Sequence, residues 1–208
     1  MRVLNLYAGI GGNRKLWTDV EVTAVEINAS IARFYKDHFP QDKLIIGDAH
    51  QYLLEHYFEF DFIWSSINCP SHSRARFWAS VSNKRYKPVF PDMKLYEEII
   101  FLKHYFKGLW VVENVYPFYE PLITPSIKIG RHLFWSNFHI KQINIEEANI
   151  NRGNLSEWKK LHGFDLTGYK FDIRKDKISR NCVNPELGLH ILNCALGKEK
   201  VTQKTIFD

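Results

Sequence analysis

Cys69 stands in the run from Ser66 to Ser73, Ser-Ile-Asn-Cys-Pro-Ser-His-Ser, directly after an apolar stretch. A thiol placed there can attack an electron-poor carbon if it loses its proton, and a free cysteine is mostly protonated at neutral pH. His72, Arg74 and Arg76 follow closely and are expected to supply the positive surroundings that favour a thiolate. Most lone cysteines are small buried hydrophobes; its position on a loop past a strand sets Cys69 apart. A second reactive group is Glu113, in Val-Glu-Asn-Val at the end of another apolar run. A carboxylate there is costly unless it is paired or working. Burial raises its pKa and lets it share a proton with a ligand. Cys182 and Cys194 complete an odd count without paired spacing, which argues against disulfides or a zinc site, and no metal is expected.

A third group of residues suits a bound nucleoside. The run Asn5 to Gly12, Asn-Leu-Tyr-Ala-Gly-Ile-Gly-Gly, lets the backbone turn tightly and approach a ligand. It is neither a dinucleotide fingerprint nor a phosphate-cradling loop. Glu26 ends the next apolar run, where an acid can accept bonds from both ribose hydroxyls. Asp48, after Gly47, ends the third and can accept from an adenine amino group. On these grounds NAD fits as well as any other nucleoside ligand.

The elements that must hold these groups alternate. Strands are expected over 3–8, 22–27, 44–47, 60–67 and 109–115, and helices over 13–17, 29–38, 51–58 and 93–106. In the last of these helices, Leu95, Ile99, Leu102 and Phe106 share one face. Residues 127–140 read as further strand broken at Gly130, residues 155–162 as helix, and residues 185–196 as a closing helix with Pro185 in its first turn. This is an α/β fold with a doubly wound, mostly parallel sheet and a short C-terminal appendage. In such sheets ligands bind beyond the carboxyl ends of the strands, where all the groups above fall.

Composition fits one domain of ordinary size: 208 residues, 45% hydrophobic and 25% charged. The net charge of +5 leans weakly toward an acidic partner. Its distribution says more. Between Ser71 and Pro91 lie Arg74, Arg76, Lys84, Arg85 and Lys87 with no acid before Asp92, interleaved with Phe77, Trp78, Tyr86 and Phe90. Basic and aromatic residues in this mixture suit phosphates and bases. No signal pattern and no membrane-length apolar stretch is present, so an intracellular, cytoplasmic protein without membrane contact is expected.

Taken in order, these motifs resemble the C5-cytosine DNA methyltransferase family over nearly the whole chain. The resemblance implies the sheet of S-adenosylmethionine-dependent methyltransferases, with S-adenosylmethionine as cofactor. Tyr7, Ala8, Gly9, Gly11 and Gly12 match the glycine-rich cofactor motif, Tyr7 being where a ring packs on adenine. Glu26 with Ile27 matches the ribose site, Asp48 with Ala49 the adenine contact, and Leu95 an apolar cofactor contact. Cys69 matches the nucleophile, Glu113 the acid of Glu-Asn-Val, and Arg131 the arginine of the following strand pair. Asn181-Cys182-Val183 resembles the closing Asn-Ser-Val, so Asn181 and Val183 are expected at the cofactor. DNA contacts are expected from His72, Ser73, Arg74, Arg76, Lys84, Arg85, Lys87 and Asn114. The segment from Ser71 to Pro91 is expected to be a loop closing over a base flipped from its stack.

The chain departs from the family at Asn68, usually proline, at Pro70, often glutamine, and near Arg131, where the usual double-arginine pattern is incomplete and His132 stands beside it. The regions implied are 1–137 for catalysis and cofactor, 138–180 for a minimal target-recognition region, and 181–208 for a returning helix. Only 138–154 stands where a large recognition region is usual, so a short target or a protein partner for recognition is expected. The implied setting is DNA methylation, in a restriction–modification or orphan context of prokaryotic or viral origin. The alternatives are an RNA (tRNA) cytosine methyltransferase and a non-catalytic partner subunit.

Overall fold

The computed structural model describes residues 1–82, 86–146 and 154–198. Lys84 and Arg85, two of the expected DNA contacts, lie outside these residues, as do 147–153 of the expected recognition segment 138–154 and 199–208 of the expected returning region 181–208.

Five parallel strands form the sheet: β1 (Arg2–Leu6), β2 (Glu21–Glu26), β3 (Lys43–Ile46), β4 (Phe62–Ser66) and β5 (Leu109–Val115). Two antiparallel strands, β6 (Ile127–Ile129) and β7 (His132–Ser136), extend it to the order β3-β2-β1-β4-β5-β7-β6. Strands buried on both faces read as apolar runs: Val3, Leu4, Phe62, Ile63, Trp64, Val111 and Val112 are all fully buried. On one face pack α2 (Ala49–His56) and α4 (Lys94–Tyr105), through Leu53, Leu95, Ile99 and Leu102. On the other pack α1 (Ala29–His38) and α7 (Pro185–Ala195). The chain order reverses between β1 and β4, so the carboxyl ends of these strands open a crevice there.

Two local expectations fail, and one helix is unexpected. Residues 13–17 form turns, not a helix: Lys15 N and Trp17 N donate to carbonyls three residues back. Asn13 and Arg14 are instead committed to the interior, Asn13 to Asn5 at 2.7 Å and Arg14 to Asp42 by two bonds of 2.9 and 3.0 Å. The basic segment expected to be a loop contains α3 (Arg74–Val81), started by Ser73, whose hydroxyl accepts from Arg76 N. It escapes a periodicity search because it buries no residue. A short helix, α6 (Lys175–Arg180), adds to the expected elements.

The C-terminal third is part of the same core. After α5 (Leu155–His162), Phe164 and Leu166 pack on Phe34 of α1. Helix α7 lies so close to residue 13 that a Cβ on Gly188 would strike the Asn13 backbone. Among the described residues no helix is long and apolar enough to cross a membrane.

Candidate active site

The crevice holds a cavity of about 370 Å³, within the range of roughly 300–1,000 Å³ usual for small-molecule sites. One end is formed by the β1 and β2 termini. Glu26 is buried, and its two carboxylate oxygens accept from Gly9 N at 2.9 Å and Asn28 N at 2.8 Å. Burial pushes its pKa up against the pull of these backbone donors. The carboxylate is thus held rigidly on the cavity wall with lone pairs left for hydroxyl donors. Asp48 caps α2, accepting from His50 N at 2.8 Å, and its other oxygen lies 3.4 Å from Lys94 Nζ.

The glycine loop and the tail meet across this end. A Cβ on Gly12 would collide with the Val183 carbonyl and Cys182 Sγ, so only glycine lets residues 181–183 close against the loop. Tyr7, Ala8, Gly9, Gly12, Glu26, Ile27, Asp48, Ala49, Asn181 and Val183 all line the cavity. Two expected cofactor residues do not. Gly11 turns toward Phe39 and Tyr35, with φ +82°. Leu95 is buried among Leu53, Ile99 and Leu102 on the far side of the cavity wall. The amphipathic pattern that locates α4 is satisfied by the core alone.

The other end carries the reactive groups. Ser66 and Glu113 are directly paired across β4 and β5, and both line the cavity with Asn68, Cys69, Arg131 and His132. Burial lifts the Glu113 carboxyl to about 7, while the Ser66 hydroxyl, hydrogen-bonded to it, and Arg131 pull the other way. Cys69 is pushed up to about 11, first by burial and then by the Glu113 charge. The cations that oppose this are Arg131 and Lys177, not His72, Arg74 and Arg76 as expected from chain proximity. Arg131 is fixed by a 2.6 Å bond from Nη2 to the Arg180 carbonyl.

His132 stands out in the sequence only as a departure from the family. Its Nε2 lies 3.9 Å from Glu113 Oε1, too far for a hydrogen bond. Burial, helped by Arg131, drives its pKa down to about 3, so it is neutral at physiological pH. Its Nδ1 has no hydrogen-bond partner. Strand alternation is the signal that finds it, because His132 pairs with Val115 and so shares a face with Glu113. Ser66 is found by the β4–β5 register; Lys177, on the unexpected helix α6, carries no sequence signal.

Two expected DNA contacts are used up inside the protein. His72 is fully buried, with Nδ1 2.6 Å from the Tyr119 hydroxyl. Asn114 is 1% exposed; its Nδ2 donates to the Ile67 carbonyl at 3.1 Å and its Oδ1 accepts from Val115 N. Asn114 therefore shapes the loop that presents Cys69. Arg74 and Lys87 are exposed, and Ser73 and Arg76 partly so. The Arg74 guanidinium lies 5.8 Å from the Tyr116 ring and that of Arg76 5.0 Å from Tyr86. Trp78 and Phe90 stand out beside them, 57% and 95% exposed. Among the described residues no group of three or more His, Cys, Asp or Glu side chains could hold a metal.

The family model for C-5 cytosine-specific DNA methylase matches residues 1–121. Among solved structures the chain is similar to Entamoeba histolytica methyltransferase EhMeth, with 13% identity, 96% of this chain and 99% of that one covered, and a TM-score of 0.55. That likeness bears on the fold. It is also similar to a mutant of Spodoptera frugiperda DNMT2, at 26% identity over 55% of this chain, with a TM-score of 0.39. The chain spans 35% of that DNMT2 chain. No curated protein matches it.

Proposed function

The chain belongs to the C-5 cytosine-specific DNA methylase family, whose methyl donor is S-adenosylmethionine, and we propose that it methylates carbon 5 of cytosine in DNA through a covalent adduct on Cys69. The observation that carries this reading is the placement of Cys69 and Glu113 in one cavity with the Glu26 carboxylate and the glycine loop.

The residues present fit the donor. Glu26 faces the cavity with its oxygens held by backbone amides, and Gly9 and Gly12 leave the floor free of side chains. In this reading Glu26 takes the ribose hydroxyls, Asp48 and Ala49 the adenine edge, Tyr7 its face, and Asn181 and Val183 close the site. When bound, S-adenosylmethionine supplies an electrophilic methyl group next to the reacting base.

The remaining chemistry belongs to the protein. The target cytosine must leave its stack to enter the cavity. Cys69 as thiolate adds to C6, and the electron pair of the C5–C6 double bond moves toward C5, which becomes nucleophilic. Glu113, whose pKa burial raises, donates to N3 when protonated and accepts from the exocyclic amine, stabilising charge that develops in the ring. Arg131 and the neutral imidazole of His132 border the same base. After C5 is methylated, loss of the C5 proton and expulsion of the Cys69 sulfur restore the aromatic ring. Arg74, Arg76 and Lys87 on and beyond α3, with Lys84 and Arg85, contact phosphates. Residues 1–137 carry catalysis, 138–180 target recognition, and 181–208 close the donor site.

Trapping tests this directly. The protein is incubated with S-adenosylmethionine and duplex DNA containing 5-fluorocytosine, and in parallel with a tRNA substituted in the same way. A donor-dependent covalent adduct on DNA, mapped to Cys69, is expected. An adduct on tRNA alone would move the substrate to RNA, and no adduct on either would reduce the chain to a binding subunit.

A further inference from the structure

Glu98 is a buried carboxylate with no part in the chemistry above. It lies on α4 and is 0% exposed. Side chains from three other parts of the fold converge on it. The Tyr7 hydroxyl, just past β1, donates to Oε1 at 2.6 Å, and Ser65 Oγ of β4 donates to Oε2 at 2.6 Å. His50 Nδ1 of α2 lies 3.0 Å from Oε1. A buried carboxylate is tolerated when its lone pairs are filled in this way.

Of these partners, Tyr7 lines the cavity. Its φ is +54°, the left-handed region that non-glycine residues seldom occupy. Such strain persists where the surroundings over-determine the conformation. Here the chain beyond it is held by Ala8 N donating to the Val25 carbonyl at 3.0 Å. The far end of the ring is held by Glu98. The hydroxyl bond spans 91 positions of sequence and ties the glycine loop to the opposite layer of helices.

We propose that Glu98 is a positioning residue for the methyl donor: it anchors the Tyr7 hydroxyl so that the ring forms a fixed wall of the donor cavity. This rests on the reading of that cavity as the donor site. Without the anchor the ring is free to turn about its side-chain torsions, and the donor must order it on binding. The loss falls on donor affinity and leaves the reacting groups, at the other end of the cavity, in place.

The test is a double-mutant cycle read by calorimetry with S-adenosylmethionine and by steady-state kinetics. Tyr7→Phe and Glu98→Gln are each expected to weaken donor binding by roughly three- to tenfold, the scale of one buried hydrogen bond. The double variant is expected to bind about as weakly as Tyr7→Phe alone, because Glu98→Gln leaves a neutral, weaker acceptor for the bond that Tyr7→Phe deletes. The KM for the donor should rise far more than kcat falls. Tyr7→Phe deletes a single oxygen and carries the test if Glu98→Gln does not fold. Donor affinity unchanged in Tyr7→Phe, or additive losses in the cycle, overturn the anchor if Glu26→Ala still weakens binding. Unchanged affinity in Glu26→Ala as well removes the donor from this cavity and takes the anchor with it.

Discussion

The donor end of the crevice and the basic segment from Ser71 to Pro91 are built in opposite ways. At the end of the cavity proposed for the donor, the polar side chains are held in place by protein partners. Glu26 holds two backbone amides, and Glu98 holds the strained Tyr7. The basic segment is tied down at its base. Asp92 N donates to Ser71 Oγ at 3.0 Å, Phe118 N donates to the His72 carbonyl at 3.1 Å, and the Phe77 and Phe118 rings stack at 4.4 Å. Beyond these anchors α3 buries nothing, and Phe90 projects into solvent. On the proposed reading, the contrast separates a site for one invariant small molecule from a surface for a large, charged one. Preorganisation favours the first. For the second, the proposed phosphate contacts and stacking would be made on the nucleic acid itself.

Changes at Cys69 and Glu113, the pair proposed to react, should have the largest effects. Cys69→Ser is expected to lower methyl transfer by on the order of 10³-fold or more, since a hydroxyl is far less nucleophilic than a thiolate. Calorimetry should show donor binding nearly unchanged. Turnover within tenfold of the parent would exclude Cys69 as the nucleophile.

Glu113→Gln is next, with an expected loss of about 10²–10³-fold from the missing charge stabilisation. Its pH dependence carries more information. Glu113 is lifted to about 7 and Cys69 to about 11, and the two titrate as a coupled pair. The productive state, acid on Glu113 and thiolate on Cys69, holds one proton between them. That proton count dominates only between the two values. The single-turnover rate should therefore rise as pH increases through about 7, stay level above it, and fall again toward about 11. In Glu113→Gln the break near 7 should be lost, and the rate should instead climb with pH until the Cys69 thiol itself ionises. A parent profile that falls as pH rises through neutrality would show that the doubly protonated pair is the active one.

At the donor end, Glu26→Ala should weaken S-adenosylmethionine binding by roughly 1–3 kcal/mol, the cost of losing a charged acceptor. Unchanged affinity in calorimetry would take Glu26 out of the site.

How much of this is legible in the sequence follows the same division. Strands β1, β2, β4 and β5 and helices α1 and α4 are readable because each is an apolar run or an apolar stripe that burial produces; β3 reads as an apolar run although none of its residues is buried. Cys69, Glu113, Glu26 and Asp48 are readable because each ends such a run. What escapes depends on partners distant in the chain. Neighbours along the chain suggest that His72 and Arg76 activate Cys69, yet the opposing charges come from Arg131 and Lys177. Asn114 looks free to meet DNA, but its amide is spent on the Ile67 carbonyl. Leu95 looks available to the cofactor, but the core claims it. Glu98 reads as an ordinary acid on a helix until Tyr7, His50 and Ser65 are brought to it.

The smallest effects belong to the exposed segment, where they scale with the number of phosphates neutralised. Binding to DNA that releases counterions weakens with salt, and the log–log slope changes by about 0.9 for each phosphate that a variant no longer neutralises on a duplex. Arg74 and Arg76 sit above Tyr116 and Tyr86, so their guanidinium groups are held at the surface without a carboxylate in the segment to neutralise them. If both touch phosphates, Arg74→Ala with Arg76→Ala should reduce the slope by about 1.8, and Lys87→Ala by a further 0.9 or so. Affinity should drop for every duplex sequence alike, because phosphate contacts carry no base information. Donor affinity should stay unchanged, since none of the three residues lines the cavity. Equilibrium titrations of labelled duplexes at several salt concentrations measure the slope. An unchanged slope in the triple variant would place the DNA surface elsewhere, with Lys128, 4.8 Å over the Tyr116 ring, as the next basic group to test. A weakening confined to particular sequences would instead assign these side chains to base edges, and α3 would then share the work of recognition that the short 138–154 segment is too small to perform alone.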